Sequence, residues 1–352
     1  MSVAVKLCRE TIKKLTPYAS ARRIGGTGDI WINANEAPDN HCVTMELTAL
    51  NRYPEFQPPD LLHAYSRFCH RAEEQILITR GADEGIELLI RTFCEPGQDY
   101  VAFCPPTYGM YAISAETCGV TVKKLPKDKQ FAFPFDELYS MDEQCKILFL
   151  CHPNNPTGTL TDKGKLETLL KKRQGKTLVV VDEAYIEFCA EYDVSDLIME
   201  YDNLVVLRTL SKAFGLAALR CGFVLAQPEI IECLKKVIAP YPVPGPVASI
   251  AAQALSDTGL RIMQERVGAV NTTKQHFTAA VASLSCTEAI IPGAGNFITV
   301  RFKEAKKIWQ ALQQANIIAR DVSHYLYLED CIRFTIGSAE EMAKVASVLQ
   351  QQ

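Results

Sequence analysis

The amino-acid sequence predicts an α/β fold: a large domain with a mostly parallel sheet flanked by helices, plus a smaller α+β domain. Three observations predict it. Short, nearly all-apolar runs alternate with helix-patterned segments from about residue 75 to 225, as in a parallel sheet covered on both faces. Polar clusters follow those runs directly, at the carboxyl ends of strands, where such sheets bind ligands. After a helical stretch to about residue 280, the remainder mixes two strand-like runs with two helices.

The elements follow in order. Residues 9–15 read as a short charged helix, and 29–33 as a short strand ending at Asn33-Ala34-Asn35-Glu36. Gly25-Gly26-Thr27-Gly28 lacks the third glycine of a dinucleotide loop and has no strand before it, so that reading is rejected. Asn51-Arg52-Tyr53-Pro54 is a turn, and Pro58-Pro59 opens a helix through His70. Ile76–Thr79 is a strand that runs into Arg80-Gly81-Ala82-Asp83-Glu84-Gly85, after which Ile86, Leu89, Ile90 and Phe93 recur at helical spacing. Such a turn aims free backbone N–H groups at an anion. Tyr100–Phe103 is the next strand, closed by Cys104-Pro105-Pro106-Thr107-Tyr108-Gly109; a helix and a Thr/Val strand follow.

The run KILFLC (146–151) leads into His152-Pro153-Asn154-Asn155-Pro156-Thr157-Gly158, whose prolines, asparagines and glycine force an irregular turn. A helix at 163–172 precedes the strongest strand pattern, 177–181, which ends in Asp182-Glu183-Ala184-Tyr185. The strand 204–207 delivers Thr209, Ser211 and Lys212, and 221–225 gives one more. Phe297–Phe302 and 331–336 are the late strands. Three segments are expected: 1–40 joining the small domain, 41–270 as the large domain, and 271–352 as the small α+β domain.

Composition excludes several function classes. The formal net charge of -4 gives no electrostatic footprint for nucleic acid. No apolar run approaches the ~18 residues of a membrane span. The start, MSVAVKLCRETIKKL, has neither the continuous apolar core nor the cleavage site of a signal peptide. Cysteines are scattered singly, with no C-x-x-C pair and no Cys/His cluster at zinc spacing. No metal is therefore expected, and free thiols in apolar surroundings fit a reducing cytoplasm. LVVVDE (178–183) resembles one half of a nucleotide hydrolase, but the phosphate loop is missing. Gly158 to Lys165 is one residue too long, and Gly175-Lys176-Thr177 has Leu170 where the first glycine belongs.

The chemistry centres on Lys212 in RTLSKAFGLAALRCG (208–222). Most lysines are solvated charges, and Ser-Lys alone is common; its company sets this one apart. Asn155, Asp182, Tyr185, Lys212 and Arg220 each stand at the end of a strand or in the turn after it. An amine in a turn of small residues suits a Schiff base with a carbonyl cofactor. A carboxylate pairs with a pyridinium nitrogen, and hydroxyls with a guanidinium hold a phosphate. Pyridoxal phosphate needs this inventory. Asp182 closing a buried strand also demands a partner, because an unpaired buried carboxylate is costly.

With these motifs the chain resembles the class II, fold-type I aminotransferases, which depend on pyridoxal phosphate. Among them it is most similar to the family that acts on histidinol phosphate in histidine biosynthesis. The resemblance runs through LTPY (15–18), NANE (33–36), NRYPE (51–55), RGADEGIELLIR (80–91), CPPTYGMY (104–111), PNNPTG (153–158), VDEAYIEF (181–188), RTLSKAFGLAALRCG and CIRFTIG (331–337). NANE, NRYPE and VDEAYIEF together favour that family.

The resemblance implies that Lys212 forms the internal aldimine and then serves as base for the 1,3-proton shift. It implies that Asp182 pairs with the pyridine nitrogen, Tyr185 and Asn155 hydrogen-bond the 3′-oxygen, and Tyr108 stacks on the ring. Ala82 and Asp83 would give backbone N–H groups to the phosphate, beside Thr209, Ser211 and Arg220. A homodimer is implied, with Tyr53 reaching the phosphate of the neighbouring subunit's cofactor. For the substrate phosphate it implies Arg333 and Arg320 with Tyr18 and Asn35; two guanidiniums suit a dianion better than one. The ordinary alternative for Arg320 is a surface salt bridge. The implied reaction is a ping-pong exchange between histidinol phosphate and 2-oxoglutarate, giving imidazole-acetol phosphate and glutamate. A broader aromatic amino-acid aminotransferase is the alternative.

Overall fold

The central strands form where the sequence is most apolar. The computed structural model describes residues 3–18, 20, 27–40 and 50–352. Its strands, in chain order, are β1 (Ile30–Trp31), β2 (Ile76–Thr79), β3 (Tyr100–Phe103), β4 (Thr121–Lys124), β5 (Cys145–Cys151), β6 (Leu178–Asp182), β7 (Leu204–Thr209), β8 (Gly222–Leu225), β9 (Thr287–Ile291), β10 (Phe297–Phe302), β11 (Ile317–Ile318), β12 (Arg320–Asp321) and β13 (Cys331–Thr335). Gly25 and Gly26 of the rejected loop lie outside the described residues.

The main sheet has the order β2-β8-β7-β6-β5-β3-β4. From β4 to β7 all neighbours run parallel. β8 runs antiparallel to both β7 and β2; the connection from β7 to β8 holds only the short helical turn Ala217–Leu219 and no crossover helix. Apart from the mostly exposed edge strand β4, the sheet's strands are buried on both faces, which explains the absence of apolar–polar alternation in them. Val180, Val205 and Leu207 pack on one side with Ile86, Leu89, Tyr111 and Ile231. These come from the helices Ala82–Phe93, Met110–Cys118 and Pro228–Lys235. Val179, Val181 and Val206 face the other side, against Leu61, Leu166 and Leu170 of the helices Pro59–Cys69 and Lys163–Arg173. Successive residues thus point to opposite layers.

Behind the ends of β6 and β7 lies a buried ion cluster. Arg208 Nε donates to Glu183 Oε2 at 2.7 Å, and its Nη2 lies 2.8 Å from Asp193 Oδ1. Glu183 is fully enclosed, so its charge is tolerable only with the guanidinium present.

The second sheet, β12-β13-β10-β9, is antiparallel. The helices Asp257–Ala282, Ala305–Gln314 and Ala339–Gln350 pack Phe277, Ile308 and Val345 into one cluster with Phe302 and Phe334. β1 pairs parallel to β11, so the first described strand is bound to late sequence. The two late strands expected from the sequence are present, and β9, β11 and β12 join them. Helices occupy 228–235, 245–254 and 257–282 where one helical stretch was expected. Among the described residues, no helix is long and apolar enough to cross a membrane. Nor does any His/Cys/Asp/Glu group among them have the arrangement of a metal site. The described cysteines are free thiols, with Cys94, Cys104, Cys151, Cys189 and Cys221 buried.

Candidate active site

The turns that follow β2, β5, β6 and β7 converge, with β12, β13 and the N-terminal segment, on one cavity of about 250 Å³. Tyr18, Asn35, Ala82, Asp83, Tyr108, Asn155, Asp182, Tyr185, Thr209, Ser211, Lys212, Arg220, Arg320 and Arg333 all line it. Tyr53 does not. It is 79% exposed and stacks on Tyr241, with ring centroids 4.3 Å apart.

Lys212 follows β7 by three residues, and its Nζ donates to the carbonyl of Ala34 at 2.9 Å. Burial, reinforced by the charge of Arg333, pushes its pKa down to about 8, against the opposing pull of Glu36. An amine of this kind has a substantial neutral, nucleophilic fraction near physiological pH. Its Nζ lies 5.7 Å from the centre of the Tyr185 ring.

Asp182 is the last residue of β6 and is buried. Its Oδ2 accepts from Tyr111 Oη at 2.6 Å and its Oδ1 from the Ala184 N–H at 3.1 Å. Burial raises its pKa to about 6, and those two hydrogen bonds oppose the rise. At neutral pH it is therefore chiefly a carboxylate, suited to a ligand cation or ring N–H.

The Tyr185 hydroxyl accepts from Asn35 Nδ2 at 3.1 Å and from Asn155 Nδ2 at 3.3 Å. Burial raises its phenol pKa. Asn35 has φ 53, a left-handed conformation that asparagine adopts more readily than most residues. Its Oδ1 accepts from Thr335 Oγ1 at 3.1 Å, which fastens the N-terminal segment to β13.

An anion cup closes one end. Gly81, with φ +83, opens the helix Ala82–Phe93, so backbone N–H groups of its first turn lack helical partners. A Cβ at Gly81 would come within 2.7 Å of Arg220 Nη2, and one at Gly222 within 2.6 Å of the Gly81 carbonyl carbon. Both glycines are needed for this close approach. Thr209 Oγ1 donates to Ser211 Oγ at 2.8 Å, and Arg220 reaches Ser211 Oγ at 3.4 Å and Asp83 Oδ2 at 3.3 Å. Asp83 Oδ1 accepts from Tyr108 Oη at 3.0 Å, which fixes the ring of Tyr108 at the cavity wall.

Two arginines stand together in another part of the cavity wall. Arg320 and Arg333 are directly opposed on β12 and β13. Arg333 is buried; its Nη2 donates to Asn33 O at 2.8 Å and its Nη1 to Asn155 Oδ1. Its Nε is enclosed with no hydrogen-bond partner among the described residues. Burial lowers its pKa, and the charge of Arg320 adds to that. Paired guanidiniums in one cavity wall favour a dianion over a single carboxylate.

The donor set fits a flat heteroaromatic cofactor bearing a phosphate and an aldehyde. The glycine-lined cup suits the phosphate, Asp182 the ring nitrogen, the Tyr185–Asn155 pair a ring oxygen, and Lys212 the carbonyl carbon. Sequence reading missed Tyr111, the partner of Asp182, and the Ala34 carbonyl, the partner of Lys212. It also passed over Glu36, Val322 and Tyr325 in the lining. Tyr111 lay within CPPTYGMY, but an aromatic in an apolar helix carries no signal of a distant carboxylate.

Comparison with known proteins agrees with this geometry. The family model for aminotransferases of class I and II matches residues 31–349. A histidinol-phosphate aminotransferase of Aeromonas hydrophila is 52% identical over 99% of this chain and 98% of its own. One from Pectobacterium atrosepticum is 47% identical over 99% and 98%. Among solved structures, the histidinol-phosphate aminotransferase from Sinorhizobium meliloti in complex with pyridoxal-5'-phosphate superposes with a TM-score of 0.83. It covers 98% of this chain and 97% of that one at 21% identity. The enzyme of that name from Clostridium acetobutylicum gives 0.82, with 92% and 98% covered at 22% identity. At those identities the likeness speaks for the fold, and the fold is that of these α/β transferases. On the matched family model and the full-length relatives, the chain belongs to the class I and II aminotransferases.

Proposed function

We propose that the chain uses pyridoxal phosphate to move the amino group of L-histidinol phosphate to 2-oxoglutarate, forming imidazole-acetol phosphate and L-glutamate in histidine biosynthesis. The observation that carries this reading is the pairing of Arg320 and Arg333 in the wall of the cavity that holds the buried amine of Lys212. The names of relatives at 47–52% identity support it.

When bound, the cofactor supplies an electron sink that acidifies the carbon bearing the substrate amine. Lys212 Nζ, the only lysine amine in the cavity lining among the described residues, anchors the cofactor and moves the proton at that carbon. Asp182 keeps a negative charge at the ring nitrogen. Tyr185 and Asn155 hold the ring oxygen, and Tyr108 packs against the ring face. The N–H groups of Ala82 and Asp83, with Thr209, Ser211 and Arg220, bind the cofactor phosphate. Arg333 and Arg320, with Tyr18 and Asn35, orient the substrate through its phosphate. The same arginines take the carboxylate of 2-oxoglutarate in the second half-reaction, so donor and acceptor use one site alternately.

In this reading residues 41–270 form the cofactor domain, and 271–352 form the small domain, joined by 1–40; the β1–β11 pairing supports that join. The enzyme works as a homodimer in the cytoplasm. The exposed Tyr53–Tyr241 stack belongs to the subunit interface, and Tyr53 reaches the partner's cofactor phosphate.

The test is glutamate formation by purified, cofactor-loaded protein with 2-oxoglutarate and either histidinol phosphate, phenylalanine or aspartate. Histidinol phosphate should give the highest kcat/KM. A higher value for phenylalanine would replace this reading with a broad aromatic aminotransferase.

A further inference from the structure

Asp182 has one side-chain hydrogen-bond partner among the described residues, and it stands outside the cavity. Tyr111 Oη donates to Asp182 Oδ2 at 2.6 Å. Tyr111 lies in the helix Met110–Cys118, fully buried. Its ring stacks on Phe149 of β5, centroids 4.8 Å apart and planes 3° from parallel, and meets Tyr108 edge-on at 5.7 Å. Asp182 lines the cavity and Tyr111 does not. The phenol therefore grips the carboxylate from behind the wall and leaves Oδ1, with its backbone donor Ala184, beside the ligand space.

We propose that Tyr111 is a positioning residue of the active site: its hydroxyl, held in place by stacking on Phe149, fixes the Asp182 carboxylate toward the cofactor and keeps it ionised. The inference rests on the reading of Asp182 as the partner of the cofactor's ring nitrogen.

The surroundings explain why a donor is needed there. Burial disfavours the charged form of Asp182, and the nearby carboxylate of Asp83 works in the same direction. Against them stand the Tyr111 hydroxyl, the Ala184 N–H and the charge of Lys212. Cys151 and Tyr185 also face Asp182, but burial holds the Cys151 thiol up at about 12 and raises the Tyr185 phenol, so both stay neutral. Burial and the adjacent carboxylate raise the Tyr111 phenol well above its usual value, so it remains a donor throughout the working range. The Lys212 charge is lost when its amine is deprotonated, whereas the neutral Tyr111 hydroxyl keeps its donor. With Tyr111 silent, Asp182 would titrate nearer neutrality and no longer guarantee a negative charge for the ring nitrogen.

The experiment removes and then strengthens the donor. Tyr111→Phe keeps the ring and its stacking but lacks the hydroxyl; 3-fluorotyrosine installed at position 111 keeps the shape and donates more strongly. The first readout is the carboxyl-carbon NMR titration of Asp182 in cofactor-free protein. Its midpoint should rise by about one to two pH units in Tyr111→Phe, the size of one charge-assisted hydrogen bond, and should fall in the fluorinated protein. The second readout is the dissociation constant of pyridoxal phosphate. The ratio of variant to wild type should be about two to ten at pH 7 and shrink toward one as Asp182 ionises at higher pH.

An Asp182 midpoint that stays put in both variants would overturn the proposal, as would a binding defect that is the same at every pH. If Tyr111→Phe does not fold, the fluorinated protein alone decides through the direction of its shift. Wild-type protein that takes up no cofactor would instead overturn the reading of the site, a result separate from the Asp182 titration.

Discussion

Arg320→Ala separates a phosphate-handling site from a general carboxylate site. Arg320 faces Arg333 directly across the β12–β13 pair, and both line the cavity. Arg333 is already held through Nη1 and Nη2 by Asn155 and Asn33, which leaves one further N–H on each of those nitrogens. A dianionic phosphate thus depends on Arg320 for its second cationic contact. Losing one charge-assisted contact costs about 1.5–3 kcal/mol, which converts to a roughly ten- to hundredfold loss of kcat/KM for histidinol phosphate. Phenylalanine presents a single carboxylate that Arg333 can hold alone, so its kcat/KM should change little. The assay measures both donors at saturating 2-oxoglutarate in wild type and variant. Equal losses would refute the argument and make Arg320 a structural or general electrostatic residue.

Two further outcomes follow from the same geometry. Asp182→Asn should retain the wild-type circular dichroism spectrum yet lower kcat by orders of magnitude, because the ring nitrogen loses its compensating charge; near-normal turnover would make the carboxylate structural. Capture of added pyridoxal phosphate by cofactor-free protein needs the neutral amine of Lys212, whose pKa burial lowers to about 8. The amine is protonated below that value, so the capture rate should climb about tenfold per pH unit from about pH 6 and level off above about 8. A rate still climbing toward pH 10 would mark an ordinary exposed lysine.

Much of the fold was legible because its central strands carry an unmixed signal. β5, β6 and β7 are buried on both faces, so they read as continuous apolar runs, and the polar residues at their ends stand out. The late strands were harder. β9 is half-exposed along its length, and β11 and β12 are two residues each, too short for any periodicity. The reversed direction of β8 was not written in its own residues, which read as one more apolar strand. In the site, the anion cup was legible because Gly81 and the 208–222 stretch are contiguous motifs. Tyr111 was not, since its bond to Asp182 spans 71 positions and a helix aromatic reads as core. The Ala34 carbonyl that holds Lys212 is a backbone group and leaves no trace in residue identity.

The central claim is that the Lys212 amine holds the cofactor, and covalent trapping tests it most directly. Cofactor-loaded protein would be reduced with borohydride, digested, and searched by mass spectrometry for the pyridoxyl adduct. Two other lysines offer an internal control. Burial also lowers Lys127 and Lys274 to about 8, yet Lys127 is enclosed against the carbonyls of Cys104 and Pro106, Lys274 is held by those of Gly293 and Gly295, and neither lines the cavity. The account predicts the adduct on Lys212 and none in folded Lys212→Ala; recovery of the adduct on Lys127, Lys274 or any other lysine would contradict it.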